Sequence, residues 1–200
     1  MITTHEELND SFERDEALAE RARKGSGAAF AALVTRHGGA VHAIAANMCA
    51  TVREVEEVLQ QTFLSAFRDL GSFPAGAKFT TWLYGIAMRT ALAQRQRERR
   101  RPSCSLEECL PAFDLAGRPL PNKGRWPELD GSSPERPEIT GLLREALECV
   151  DEPIRAAFVL HDLVQLPVEE AAVILQTSPE AVRRGAHRTR LLLRGFIDRL

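Results

Sequence analysis

Two stretches of this chain set arginine beside groups suited to nucleic acid. Residues 78–101 read KFTTWLYGIAMRTALAQRQRERRR, so Thr80, Thr81, Trp82 and Tyr84 run directly into a block of positive charge. Aromatic rings can stack on unpaired bases, worth roughly 1–3 kcal/mol per base, and arginines attract phosphates with a strength that falls steeply with salt. Residues 179–194 read PEAVRRGAHRTRLLLR. If Val182, Ala186, Thr189 and Leu193 line the buried face of a helix there, Glu180, Arg183, Arg184, His187, Arg188 and Arg190 are left on its other faces. Such a helix suits a major groove and its flanking phosphates, where a bidentate arginine–guanine pair supplies about 1–3 kcal/mol of discrimination. His187 fits either a phosphate or base contact or an ordinary surface histidine.

Helices must position these groups. From Asp15 to about Arg101 apolar residues recur every three or four positions. The pattern predicts DEALAERARK ending at Gly25, a helix capped by Ser26 and ending at Gly38 and Gly39, and a third helix, AVHAIAANMCA. A fourth, VREVEEVLQQTFLSAFRDL, turns Val55, Val58, Leu59, Thr62, Phe63 and Phe67 to the core and leaves Glu54, Glu57, Gln60 and Gln61 on the opposite side. GSFPAGA is a turn or loop leading into the aromatic and basic helix. Residues 102–140 hold seven of the eleven prolines and no sustained periodicity, apart from a short helix at SLEECL, which marks a linker between domains. Four more helices follow: EITGLLREALECV, EPIRAAFVLHDLV, PVEEAAVILQ and the arginine-rich one. The last two, separated by a three-residue turn with Ser178 as cap and Pro179 at the first helical position, have helix-turn-helix order. Gln176 stands where that turn usually takes glycine for its positive φ. The expected fold is therefore all-α: a tail (1–14), a helical domain (15–101), a long, flexible, Pro-rich acidic linker (102–137) and a helix-turn-helix domain (138–200).

The formal net charge of -2 averages over strong segregation. Twelve of twenty-six basic residues fall between Arg89 and Arg101 or between Arg183 and Arg199, opposed there only by Glu98 and Asp198, while residues 107–152 carry eleven acids. Nucleic-acid binders show such patterning. The N-terminus has neither the basic nor the apolar region of a signal peptide, and no apolar run reaches bilayer length, so a cytoplasmic location without membrane insertion is expected. Cys49, Cys104, Cys109 and Cys149 form no CxxC pair, which favours free thiols over a thiol or metal sensor built on Cys104 and Cys109 or on His37 and His42 of one helix. The lack of a phosphate-binding glycine loop, a nucleophile motif or HExxH argues against an enzyme, and no cofactor or metal is expected.

Three strings, EVEEVLQQTFLSAF, FTTWLYGIAMRT and EAVRRGAHRTRLLLR, in that order and at that spacing, resemble the extracytoplasmic-function (ECF) sigma factors of bacterial RNA polymerase, over about residues 15–101 and 138–199. The resemblance implies a specificity subunit that binds core RNA polymerase, directs it to promoters and helps to melt the -10 element. It assigns Glu54, Glu57, Gln60 and Gln61 to the clamp helices of the polymerase's largest subunit, with a further contact of the chain to the flap of the second-largest. It assigns Lys78, Thr80, Thr81, Trp82, Tyr84, Arg89 and Arg95 to the melted -10 strand, with LGSFPAGAKFT forming a pocket for a flipped base. It gives the -35 element to Ser178, Glu180, Arg183, Arg184, His187 and Arg188, and implies that an anti-sigma partner is common. Phe79 and Trp82 also fit a core role, because aromatics at helical spacing pack, so Lys78, Thr80, Thr81 and Arg89 are the better candidates for direct contact. Arg89, Gly85, Ala93 or Gln94, and the Gly185-Ala186 pair depart from the family pattern, and glycine within a helix costs about 1 kcal/mol. A stand-alone helix-turn-helix regulator is the alternative, but it leaves the Glu-Gln face and the Thr-Trp segment without a task.

Overall fold

The structure, a computed structural model, describes residues 14–98, 146–148 and 150–197. The expected tail, linker, SLEECL helix, Cys104, Cys109 and most of EITGLLREALECV lie outside these residues. All regular structure among the described residues is helical. The N-terminal half holds α1 (Asp15–Arg23), α2 (Gly27–Met48), α3 (Val52–Asp69), a 3₁₀ turn (Leu70–Ser72) and α4 (Phe79–Glu98). The C-terminal half holds α5 (Glu152–Phe158), continued by a wide π turn (Val159–Leu163), then α6 (Val168–Leu175) and α7 (Pro179–Ile197). No helix among the described residues is long and apolar enough to cross a membrane.

Local chemistry explains most boundaries. Helix α1 ends where Gly25 takes φ +99°, and Ser26 Oγ then accepts from Ala29 N at 3.3 Å to start α2. Thr51 and Glu54 form a reciprocal capping box on α3: Thr51 Oγ1 accepts from Glu54 N, and Glu54 Oε2 accepts from Thr51 N. Helix α4 takes a cap from another helix, Glu16 Oε1 of α1, which accepts from Phe79 N at 3.3 Å. One expected boundary is wrong. Gly38 and Gly39 do not end a helix; α2 runs unbroken through them for 22 residues. The two glycines weaken a helix by local propensity, but Leu33, His37, Val41, Ile44 and Met48 continue one buried stripe across them, and tertiary packing overrides the preference.

The four N-terminal helices close on Leu18, Leu33, Ile44, Met48, Val58, Leu83 and Met88, all buried. Of the core face expected on α3, Val55, Val58 and Thr62 are buried, Leu59 and Phe63 partly so, and Phe67 is exposed. The hundred-degree step carries Phe67 off the stripe that Ala66 completes, and its ring packs edge-on against Phe30 with centroids 5.0 Å apart. In the C-terminal half Val182, Ala186, Thr189 and Leu193 are buried as their spacing predicts.

Two features of that half answer the sequence's oddities. Gln176 takes φ +51°, so the turn between α6 and α7 has the left-handed residue it requires without a glycine. At Gly185 a Cβ would stand 3.1 Å from Ala157 Cβ and 3.5 Å from Ile154 Cα, so the missing side chain lets α7 lie close against α5. The cost in helix propensity is offset by that approach. Gly185→Val should lower stability by about 1–3 kcal/mol through overpacking, measured by urea unfolding; a neutral or stabilising effect would show that α5 and α7 can separate freely.

Candidate nucleic-acid interface

Helix α4 carries most of the groups expected on the -10 strand. Its buried side contains Phe79, Leu83, Tyr84, Ile86, Ala87, Met88 and Ala91, which leaves few positions facing outward. Lys78 and Arg89 are exposed, and Thr80, Thr81 and Trp82 are half-buried. Trp82 belongs to an aromatic cluster with Phe73 and Phe79, with centroid separations of 5.4 Å and 5.7 Å. Phe73 thereby ties the loop of residues 73–78 to the first turn of α4. Tyr84 is buried rather than on the surface; its hydroxyl lies 3.1 Å from His37 Nδ1, and His37 Nε2 lies 3.0 Å from Asp15 Oδ2. Burial chiefly, against the pull of Asp15, holds His37 below the usual imidazole value.

The acidic face of α3 and the outward edge of α4 form a polar groove of about 540 Å³, lined by Glu57, Gln60 and Gln61 on one wall and Arg89, Gln94 and Arg97 on the other. Glu57 accepts from Arg53 Nε at 2.9 Å and faces Gln94 Nε2 at 3.4 Å. Glu54 stands apart from this group, its carboxylate occupied by the capping box of α3. Three of the four residues expected to meet polymerase therefore share one groove with a residue expected to meet DNA.

At the other end, α6, the turn at residues 176–178 and α7 make the helix-turn-helix. Ser178 Oγ accepts from Ala181 N at 3.2 Å, so its hydroxyl serves as the cap of α7. Arg184, His187 and Arg188 are exposed along α7. Arg183 reaches back to Glu169 at 3.3 Å, and Arg190 is held by a forked pair with Asp162 at 2.8–3.1 Å. The first leaves a long exposed side chain free to exchange partners, since an exposed ion pair contributes about 0–1 kcal/mol.

The chain matches the model for Sigma-70 region 2 over residues 33–101 and that for Sigma-70 region 4 over residues 140–193. It is 32% identical over 180 residues to the ECF RNA polymerase sigma-E factor of Salmonella typhimurium, covering 88% of this chain and 90% of the relative. It belongs to the ECF sigma factors. The RNA polymerase sigma-H factor of Pseudomonas aeruginosa is 29% identical over 183 residues, covering 89% of this chain and 91% of that one. Among solved structures, CnrH in complex with the cytosolic domain of CnrY superposes with a TM-score of 0.67 at 26% identity, covering 93% of this chain and 98% of CnrH. The sigma factor RpoE of Bartonella quintana, in complex with the anti-sigma factor NepR, superposes at 0.61 with 18% identity, over 84% and 96% of the two chains, a likeness of fold. The helical organisation expected from the sequence is thus that of a sigma factor.

Sequence reasoning missed a cluster where the two halves meet. Arg155 is fully buried, donates to Glu148 Oε1 at 3.0 Å and to the Val150 carbonyl at 3.3 Å, and shares Glu148 with Arg95 of α4, whose two terminal nitrogens lie 3.1 Å from that carboxylate. Arg95 also donates to the Met48 carbonyl at 3.2 Å and lies 3.6 Å from Glu152. In sequence these are ordinary charged residues, and only the fold brings them together. Although burial pushes Glu148 upward, the hydrogen bond from Arg95 and the charge of Arg155 hold it below the usual 4.5. A depressed carboxylate contributes stability above its unfolded value and loses it as pH falls through its folded value. Glu148→Gln should therefore cost about 1–3 kcal/mol at pH 7, toward the low end because the side chain is 38% exposed. That cost should shrink below about pH 4.5, where the native chain loses the same charge; urea titrations across pH would show a constant difference if Glu148 has no such role.

Proposed function

We propose that this sigma factor divides its work among the three surfaces described. The groove between α3 and α4 docks core RNA polymerase through Glu57, Gln60 and Gln61, against the clamp helices of the largest subunit. The loop of residues 73–78 and the first turn of α4 hold the melted -10 strand through Lys78, Thr80 and Thr81, with Arg89 on the backbone. Helix α7 presents Arg183, Arg184, His187 and Arg188 to the -35 major groove. The domain boundaries near residues 101 and 138 and a flap contact in the second-largest subunit belong to the same proposal.

The observation that carries this reading is the convergence of Glu57, Gln60 and Gln61 on the groove that also holds Arg89. A protein surface and a DNA strand can then be bound side by side on one rigid helix pair. Trp82 supports the strand indirectly, since its place in the Phe73–Phe79 cluster fixes the loop. Tyr84, buried against His37, and Glu54, engaged in capping, act from within as positioning residues. The chemistry is non-covalent throughout: binding energy from captured bases offsets the unstacking of the duplex. A regulatory protein partner is also part of the proposal, by likeness to CnrH, which is seen with the cytosolic domain of CnrY.

Affinity for purified core RNA polymerase tests the assignment. Glu57 and Gln60 are exposed, so Glu57→Lys with Gln60→Ala leaves the fold intact. The native chain should bind, and the variant should bind at least about tenfold more weakly, equivalent to roughly 1.4 kcal/mol. Equal binding by both would move the polymerase site off this groove; absence of binding by the folded native chain would favour a stand-alone DNA-binding regulator.

A further inference from the structure

The cations of α4 differ in their company. Lys78 is paired with Glu170 of α6 at 2.6 Å, and Arg95 with Glu148 at 3.1 Å. Arg89 and Arg97 line the groove against α3 and have no hydrogen bond or ion pair among the described residues. Arg89 has the strand's backbone to meet, whereas Arg97 has no task in that assignment. The acid on the groove's walls, Glu57, is engaged elsewhere: its Oε1 accepts from Arg53 Nε at 2.9 Å and its Oε2 from Gln94 Nε2 at 3.4 Å. Since the chain turns back between Asp69 and Phe79, α3 and α4 run antiparallel, and the Glu57–Gln94 contact sets the start of α3 beside the end of α4. Arg97 therefore stands at the Glu57 end of the groove, and Arg89, about 12 Å earlier along the axis, stands toward Gln61.

Such a groove selects on charge. Its walls offer both signs, a carboxylate on α3 and a guanidinium on α4, with the amides of Gln60, Gln61 and Gln94 between them. A phosphodiester strand brings acceptors of one sign. It would satisfy Arg97 but press its charge on Glu57 and leave the amide carbonyls without donors. Helices in contact lie about 8–10 Å apart, close to the Debye length of about 8 Å at physiological salt, so that repulsion is only partly screened. A protein helix with an acid and a base within one turn satisfies both walls, because residues three or four apart share a face. Arg53 is 88% exposed, so its hold on Glu57 exchanges for a partner's base with little loss.

We propose that Arg97 is a polymerase contact: it takes an acidic side chain of the same helix whose basic side chain Glu57 takes, which makes the groove a two-signed seat for one helix of the core enzyme. This rests on the assignment of Glu57, Gln60 and Gln61 to the polymerase. The seat rejects a uniformly basic partner through Arg97 and a polyanion through Glu57, so specificity comes from the pairing of signs. Arg97 reads in the sequence as one of a block of phosphate-binding arginines, and the groove gives it a different partner.

The test measures the affinity of the full chain for purified core RNA polymerase at about 0.1 M and about 0.5 M salt. Arg97 and Gln96 are neighbours and both exposed, and of the two Arg97 alone lines the groove. Arg97→Gln and Gln96→Glu make the same change in net charge, so they differ in place alone. Arg97→Gln should bind about fivefold more weakly at the lower salt, with a smaller deficit at the higher, and Arg97→Lys should recover most of the loss. Gln96→Glu should stay within about twofold of the native chain. Equal weakening by the Arg97 and Gln96 variants would overturn the proposal in favour of bulk charge, as would a deficit that salt does not alter, in favour of a structural role. Unchanged core affinity of Arg97→Gln, with weaker capture of a fluorescein-labelled mixed-sequence single strand of about 20 nucleotides by the assembled holoenzyme, would overturn it in favour of DNA. Failure of the underlying assignment shows separately, as native binding by the Glu57 and Gln60 variant; if that variant is weakened and Arg97→Gln is not, the two-signed seat alone fails.

Discussion

The structure depends on the burial of α4. This helix packs against α1, α2 and α3 and also against α6, so it belongs to both halves at once. Its apolar positions run around several faces rather than along one, with Leu83, Ala87 and Ala91 fully enclosed. A helix so enclosed can offer a ligand only its first turn, a narrow outward edge and its basic end, where Lys78, Arg89 and Arg97 are exposed while Arg95 is held by Glu148 and Glu152. Close packing also limits how far these groups can wander, since interiors pack at the density of organic crystals. The cap that Glu16 gives to Phe79 N and the Phe73 clamp on Trp82 hold the first turn in place from two directions. Rigidity under a single-strand site is useful because the ordering cost is met during folding rather than at binding.

Much of this architecture is legible in the sequence because helix periodicity and caps are local. The stops at Gly25, the cap at Ser26, the turn before Ser178 and the buried row from Val182 to Leu193 all follow from spacing and side-chain chemistry. The failures are those where a distant contact decides. Gly38 and Gly39 look like a break until the stripe from Leu33 to Met48 is seen to need an unbroken helix. Phe67 reads as core because it is aromatic and near the right phase, but Ala66 takes the buried position. Gln176 adopts positive φ without glycine, and Gly185 looks like a defect although α5 lies too close for a side chain. At the site, residue types singled out α3, α4 and α7, but not which of their residues face outward. Tyr84 turns inward to His37, Glu54 is spent on a helix end, and the partners Glu148, Glu152 and Glu170 carry no signal in the sequence at all.

The charge segregation takes on a second meaning once those partners are seen. In the sequence two basic stretches, residues 89–101 and 183–199, are separated by an acidic one at 107–152, a segregation that suits nucleic-acid binding. In the folded chain Glu170 pairs with Lys78 at the start of α4, and Glu148 and Glu152 pair with Arg95 near its end. Of these groups only Lys78 is well exposed, while Glu170, Arg95 and Glu152 are 14–18% exposed, so salt screens the Arg95 cluster less than it would a surface pair. A polyanion offers the same lysine and arginines many acceptors, and also releases its condensed counterions on binding. What holds the halves together against that exchange is the apolar contact between the ends, where Ile174 lies against Gly85. A Cβ at Gly85 would stand 3.5 Å from Arg89 Nη1 and 3.9 Å from Ile174 Cγ1, ordinary contact distances, so it is the apolar packing shared by the two halves rather than the glycine that joins α4 to α6.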